Sequence, residues 1–204
     1  MTTKEFVLLE RRLQPNFPEF VIKGRLFFIP SVEHTLRAFS FEPSGFNKTV
    51  FYINAFYLPL CIPCKYLSFT FGKRLKGTGW HADAPNLESE LVKAMQSEVP
   101  FLRSLRTAKE VAEAVAQSLK QNPRDPYRHE AVAYMLARSG EIAEAVVALD
   151  RLMSVLDLTV SWQGEMADRA LALKEKLIDA PTVAQRQLDD WQTETVRNLD
   201  LEGF

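Results

Sequence analysis

Hydrophobic positions along this chain change their period once. From Phe20 to Phe71 they come in short β-branched and aromatic stretches, and from residue 86 onward they recur every three to four residues. The first pattern predicts strands and the second amphipathic helices. Before the strands, Phe6, Leu9 and Leu13 sit at helical spacing and predict a short opening helix over 4–13, ended by Pro15 and Pro18. Phe20-Val21-Ile22 and Leu26-Phe27-Phe28-Ile29 read as two short strands, or one bulged strand, around Lys23-Gly24-Arg25. Residues 35–42 alternate, with Leu36, Ala38 and Ser40 on one side and Arg37, Phe39 and Phe41 on the other, before a turn at Pro43-Ser44-Gly45. Residues 49–58 show little polar alternation, as expected of a central strand covered on both faces. A further strand is predicted over 66–71, followed by a basic, glycine-containing loop from Gly72 to Gly79 that ends in Trp80.

In the second region Thr107-Ala108-Lys109-Glu110 has the spacing of a capping box, in which the Thr hydroxyl accepts from the third N–H and the Glu reaches back. It predicts a helix from Ala108 to about Gln121 with Val111, Val115 and Leu119 inward. Another helix begins near Tyr127 and stops at Ser139-Gly140. Two more, over about 161–177 and 182–199, finish the chain. Strands followed by helices imply an α+β fold. The expected architecture is an antiparallel aromatic-rich sheet of four to five strands with a short leading helix (1–80), then an Ala-rich layer of about five helices (81–204) packed on it as one cooperative unit.

Composition sharpens the break. Residues 1–80 hold twelve of the fourteen Phe and two Ala, whereas 81–204 hold eighteen Ala and two Phe. The charge changes sign at the same place: eleven Lys and Arg against five acidic residues in the first part, fourteen against twenty-one in the second. The near-neutral total of −1 provides no general field for nucleic acid or a membrane surface. The uncharged run 49–64 contains Asn54, Pro59 and Pro63 and is shorter than the roughly 20 residues a membrane span needs. Two cysteines and an N-terminus without a secretory layout point to a cytoplasmic protein.

Candidate chemistry is sparse. Cys61-Ile62-Pro63-Cys64 has redox or zinc half-site spacing, but a strand is expected after it instead of a helix N-terminus, and the nearby downstream zinc ligands are limited to His81 and Asp83. Two small apolar residues at a bend is the plainer alternative. Lys73, Arg74 and Lys76 among the glycines of 72–79 suit an anion, an acidic protein surface, or simply a solvated loop; the order of Gly and Lys is not that of a P-loop. Trp80-His81-Ala82-Asp83 marks the junction, where Trp80 seals the interface or an enzyme site is assembled from Cys61, Cys64, His81 and Asp83. No metal or other cofactor is expected.

The segment from His129 to Leu149 resembles one tetratricopeptide repeat, with Ala133, Gly140, Ala145 and Leu149 at the family's spacings for close helix packing and the inter-helix turn. His129 stands where the family has its first Trp, and Asp157 where it closes with Pro. The resemblance, over 129–157, implies a helical hairpin and, were it repeated, a peptide-binding groove. In size and texture the chain is similar to bacterial immunity proteins, which mask a cognate toxin. That implies a non-catalytic protein-binding function and a protein partner, and the candidate contacts are the basic set Lys73, Arg74 and Lys76 with the adjoining Trp80, or the acidic end Asp189, Asp190 and Glu194.

Overall fold

The computed structural model describes all 204 residues, and its contacts divide them into two compact units: Met1–Leu58 with Ser68–Ser104 and Phe204, and Pro59–Leu67 with Leu105–Gly203. The first unit opens with α1 (Thr3–Leu13), capped by a reciprocal Thr2–Glu5 box, and a 3-10 turn at Gln14–Asn16. Strands β1 (Val21–Lys23), β2 (Leu26–Ile29), β3 (Thr35–Pro43) and β4 (Val50–Pro59) follow. Then come β5 (Gly72–Arg74), β6 (Trp80–His81), α2 (Leu87–Gln96) and α3 (Val99–Ser104). β1 and β2 form an antiparallel hairpin around Gly24, whose φ of +62° suits the tight turn. β2 pairs antiparallel with β3 in a register that sets Phe27 opposite Phe39.

The sheet order is β1-β2-β3-β4-β5, with β6 also on β4. Since β5 meets Asn54–Phe56 and β6 meets Val50–Phe51, both antiparallel, the chain from Gly72 to His81 runs along β4 as one interrupted strand. The basic stretch expected to be a loop is therefore partly an edge strand. Residues 66–71, expected to be a strand, are irregular. The Ser68 hydroxyl accepts the Thr70 N–H and the Gly72 N–H bonds the Phe69 carbonyl, so local turns satisfy groups a ladder would have used.

Phe27, Phe39, Phe41, Phe51, Ile53 and Ala55 face one way and build a core with α1 (Phe6, Leu9, Leu13), α2 (Leu87, Leu91, Met95) and α3 (Val99, Leu102). Phe20 stacks on Phe39 at 5.5 Å and Phe6 meets the edge of Phe51 at 5.7 Å, favoured aromatic geometries. The change of alphabet at residue 80 thus precedes the unit boundary, because α2 and α3 complete the sheet's core. They also bring Asp83, Glu88, Glu90 and Glu98 into this unit, leaving it twelve basic against nine acidic residues, and the other unit thirteen against seventeen.

The second unit holds α4 (Ala108–Leu119), α5 (Pro126–Arg138), α6 (Ile142–Val155), α7 (Ser161–Asp179) and α8 (Pro181–Asn198). Each packs on the next, and α5 also meets α8. The predicted Thr107–Glu110 capping box is present. Val111 and Val115 are buried, whereas Leu119, in the last turn of α4, is partly exposed. α5 ends in a Schellman turn: Gly140, at φ +82°, donates to Ala137 and Glu141 donates to Leu136. Ala133, Ala145 and Leu149 are fully buried. No helix is long and apolar enough to cross a membrane.

Two residues of the sheet unit give stability tests. Glu10 is fully buried with neither carboxylate oxygen hydrogen-bonded, and burial pushes its pKa up to about 8 from 4.5. The folded protein therefore holds a proton that the unfolded chain releases above pH 4.5. Its stability contribution is complete below that pH and is lost as pH rises to about 8. Urea denaturation of the wild type should lose a few kcal/mol across that window, at about 1.4 kcal/mol per pH unit; Glu10→Met should remove this slope and be the more stable protein at pH 8. Gly79 has φ +77°, and a Cβ there would lie 2.9 Å from the Phe51 carbonyl oxygen and 2.8 Å from Val50 Cγ1. Gly79→Ala should lower the urea midpoint by an amount equivalent to roughly 1–3 kcal/mol.

Candidate functional site

The basic residues of the edge strand are already partnered within the sheet unit. Lys73 Nζ lies 2.9 Å from Glu98, the Arg74 guanidinium sits 3.9 Å over the Tyr52 ring, and Lys76 Nζ lies 4.6 Å over Trp80 and 3.9 Å from Glu90. The N–H groups of Gly72, Leu75 and Gly79 donate to the carbonyls of Phe69, Ile53 and Lys76, so these three are not a converging anion cradle. Trp80 is buried in the aromatic core, while His81 and Asp83 stay exposed.

The Cys-x-x-Cys segment belongs to the helical unit, and α8 buckles it down. The Cys64 N–H donates to the Thr195 hydroxyl at 3.3 Å, that hydroxyl donates to the Ile62 carbonyl at 3.1 Å, and the Asn198 amide donates to the Cys64 carbonyl at 3.0 Å. Cys61 is buried with its sulfur 3.6 Å from that of Met135. Burial pushes the Cys61 thiol up to about 12, the Arg138 charge opposing only in part. Burial also raises Cys64, against a hydrogen bond from Thr195. Both shifts oppose the thiolate that redox attack and metal binding require. Nowhere in the chain do three or more His, Cys, Asp or Glu side chains converge as a metal-binding group. Of the enzyme quartet considered from the sequence, Cys61 and Cys64 lie in the helical unit and His81 and Asp83 in the sheet unit.

Around Cys61 runs a polar seam on α5. Glu130, Tyr134 and Arg138 recur every fourth residue and so share one helix face. Arg169 of α7 donates twice to Glu130 Oε1, at 3.2 and 2.6 Å; Tyr134 stacks on Trp191 of α8 at 5.5 Å; Arg138 bonds Asp189. Burial raises Glu130's carboxyl, with Arg169 pulling it back. Each charged member of the seam holds a partner inside the protein, which makes the seam an alignment device between helices.

Comparison with protein-family models, with curated proteins and with solved structures returned no match. The surface itself is then the source of a functional reading. On α8, Asp189 is taken by Arg138, whereas Asp190 and Glu194, one helical turn apart, are exposed and carry no ion pair. A feature the sequence reading missed is the pair Tyr127 and Trp162. Their rings stack in the open, with centroids 5.0 Å apart and planes 4° off parallel, and both side chains are about half exposed. Tyr127 lies in the first turn of α5 and Trp162 in the first turn of α7. Trp162 stands one turn before Met166 and continues the stripe of Met166, Ala170, Leu173 and Leu177, so its spacing predicts burial and not exposure. The stack joins residues thirty-five apart in sequence, and no local period announces it.

The disarmed thiols give a direct test. At pH 8 iodoacetamide should leave Cys61 of the native protein unmodified and label Cys64 more slowly than a free thiol, with both labelled at once in urea. Rapid native labelling of Cys61 at pH 7, read by mass spectrometry, would return the chain to thiol chemistry.

Proposed function

We propose that this chain is a non-catalytic protein-binding protein. The observation that carries the reading is the Tyr127–Trp162 stack, two large aromatic rings packed on each other and exposed on helix starts. Tyr and Trp dominate binding hot spots because they offer large contact area at little conformational cost. The helical unit, five helices each packed on its neighbour, suits a scaffold for such a surface, and its α5–α6 hairpin fits a tetratricopeptide-like unit. The finer reading is an immunity-type inhibitor of a bacterial toxin, acting in the cytoplasm. Two free cysteines fit a reducing compartment, and the unpaired carboxylates Asp190 and Glu194 would complement a basic toxin cleft.

Tagged full-length protein should capture one stoichiometric protein from a lysate of its source cells. Cys61→Ala should retain that protein, and Tyr127→Ala/Trp162→Ala should weaken the complex by about 30-fold or more, as loss of hot-spot anchors does. Co-expression of the wild type, but not of the double variant, should protect cells from the captured protein if it is a toxin. Undiminished capture by the double variant would remove the observation on which the proposal rests.

A further inference from the structure

Helix α7 carries a charge segregation that its sequence conceals. Its three cations are all engaged within the helical unit: Arg169 with Glu130, Lys174 with Asp150, and Lys176 with the Gln187 amide oxygen at 2.8 Å. Its four carboxylates, Glu165, Asp168, Glu175 and Asp179, are exposed and have no ion-pair partner. At 100° per residue these four fall within an arc of about 80° opposite the buried stripe, and they extend along about 21 Å of helix. Leu171 and Ile178 flank them, 44% and 59% exposed, and Trp162 of the aromatic stack begins the same helix. Apolar side chains standing beside uncompensated like charges are unfavourable alone, because the carboxylates repel one another and Leu171 and Ile178 remain wet. A partner with apolar and positive groups relieves both.

Resting on the protein-binding reading above, we infer that the outward face of α7 docks a basic amphipathic segment of a partner protein, with Lys or Arg side chains over the carboxylates and apolar ones against Leu171 and Ile178. Charge complementarity sets this choice of occupant: nucleic acid and anionic lipid are repelled by the same four groups, and an apolar segment without cations would desolvate them unpaired. One cation seated over Trp162 would add a cation–π contact. The electrostatic part acts through solvent, so association should be steered at low salt and weaken as the screening length falls from about 10 Å at 0.1 M to 3 Å at 1 M.

The test uses the full chain and, as probe, a helix-forming Lys/Leu amphipathic peptide of about fifteen residues beside its Glu/Leu counterpart. Calorimetry should show binding of the Lys peptide alone, weakening about tenfold or more between low and high salt. The neutralised variant Glu165→Gln/Asp168→Asn/Glu175→Gln/Asp179→Asn should lose about tenfold or more at low salt. Glu113→Gln/Glu144→Gln, exposed on α4 and α6, should change binding less than twofold. Lack of Lys-peptide binding, or equal loss in the α7 variant and this control, overturns the assignment, the second because it reports only overall charge. Should the α7 variant still capture the native partner undiminished, the docking face is wrong while protein binding stands; should the wild type capture nothing, the broader reading fails first.

Discussion

The Arg169 guanidinium drawn inward to Glu130 is the contact on which the helical unit turns. Keeping the buried Glu130 ionised takes a counter-charge, and the cation that meets it comes from α7. Pairs of this kind add little net stability over an apolar replacement, but breaking one strands a buried charge at a cost of about 3–5 kcal/mol, so they penalise any rotation or slippage of the helices. With α7 so oriented, Met166, Ala170, Leu173 and Leu177 face the core, Lys174 reaches Asp150, and four carboxylates are left pointing to water. The same α5 face holds Trp191 through Tyr134 and Asp189 through Arg138, so one stripe of side chains positions both α7 and α8. α8 in turn fastens the Cys-x-x-Cys segment through Thr195 and Asn198, and two residues with reactive chemistry become part of the packing.

In the sheet unit the governing constraint is aromatic packing. Rings from α1 and the strands meet edge-on or stacked, and α2 and α3 close the remaining side. Carboxylates of α2 and of the turn after it answer basic groups of α1 and the edge strand: Glu88 meets Arg12, Glu90 approaches Lys76 and Glu98 meets Lys73, while α3 contributes a cation, Arg103, to Glu19. Exposed pairs of this sort stabilise by at most about 1 kcal/mol each, yet they remove the basic stretch as an unbalanced surface. The helical unit has the opposite balance, with its carboxylates unmatched along α7 and at Asp190 and Glu194 of α8.

Much of the fold was legible along the chain because its signals are local. Residues 49–58 lack alternation, and the structure buries nearly all of β4. Thr107 and Glu110 stand three apart and form the box their spacing requires. Gly140 follows a periodic stretch and takes the left-handed conformation that ends it. The misread stretch, 66–71, has strand-forming residues, but Ser68 and Thr70 offered the backbone nearer partners than a neighbouring strand. The candidate site was much less legible. Lys73, Arg74 and Lys76 look free in a sequence, and their quenching depends on Tyr52, Trp80, Glu90 and Glu98 arriving from elsewhere.

The sequence alone determined the opening helix, the strands up to β4 and the helix ends at Thr107 and Gly140, since backbone hydrogen bonding and amphipathic period act over a few residues. Tertiary structure alone decided that α2 and α3 complete the sheet's core, that Cys61 is silenced beside Met135, that Tyr127 finds Trp162, and that α7 turns its cations inward and its anions out. Those outcomes follow from desolvation and pairing between residues distant in the chain, and such energies exist only after the helices have been brought together.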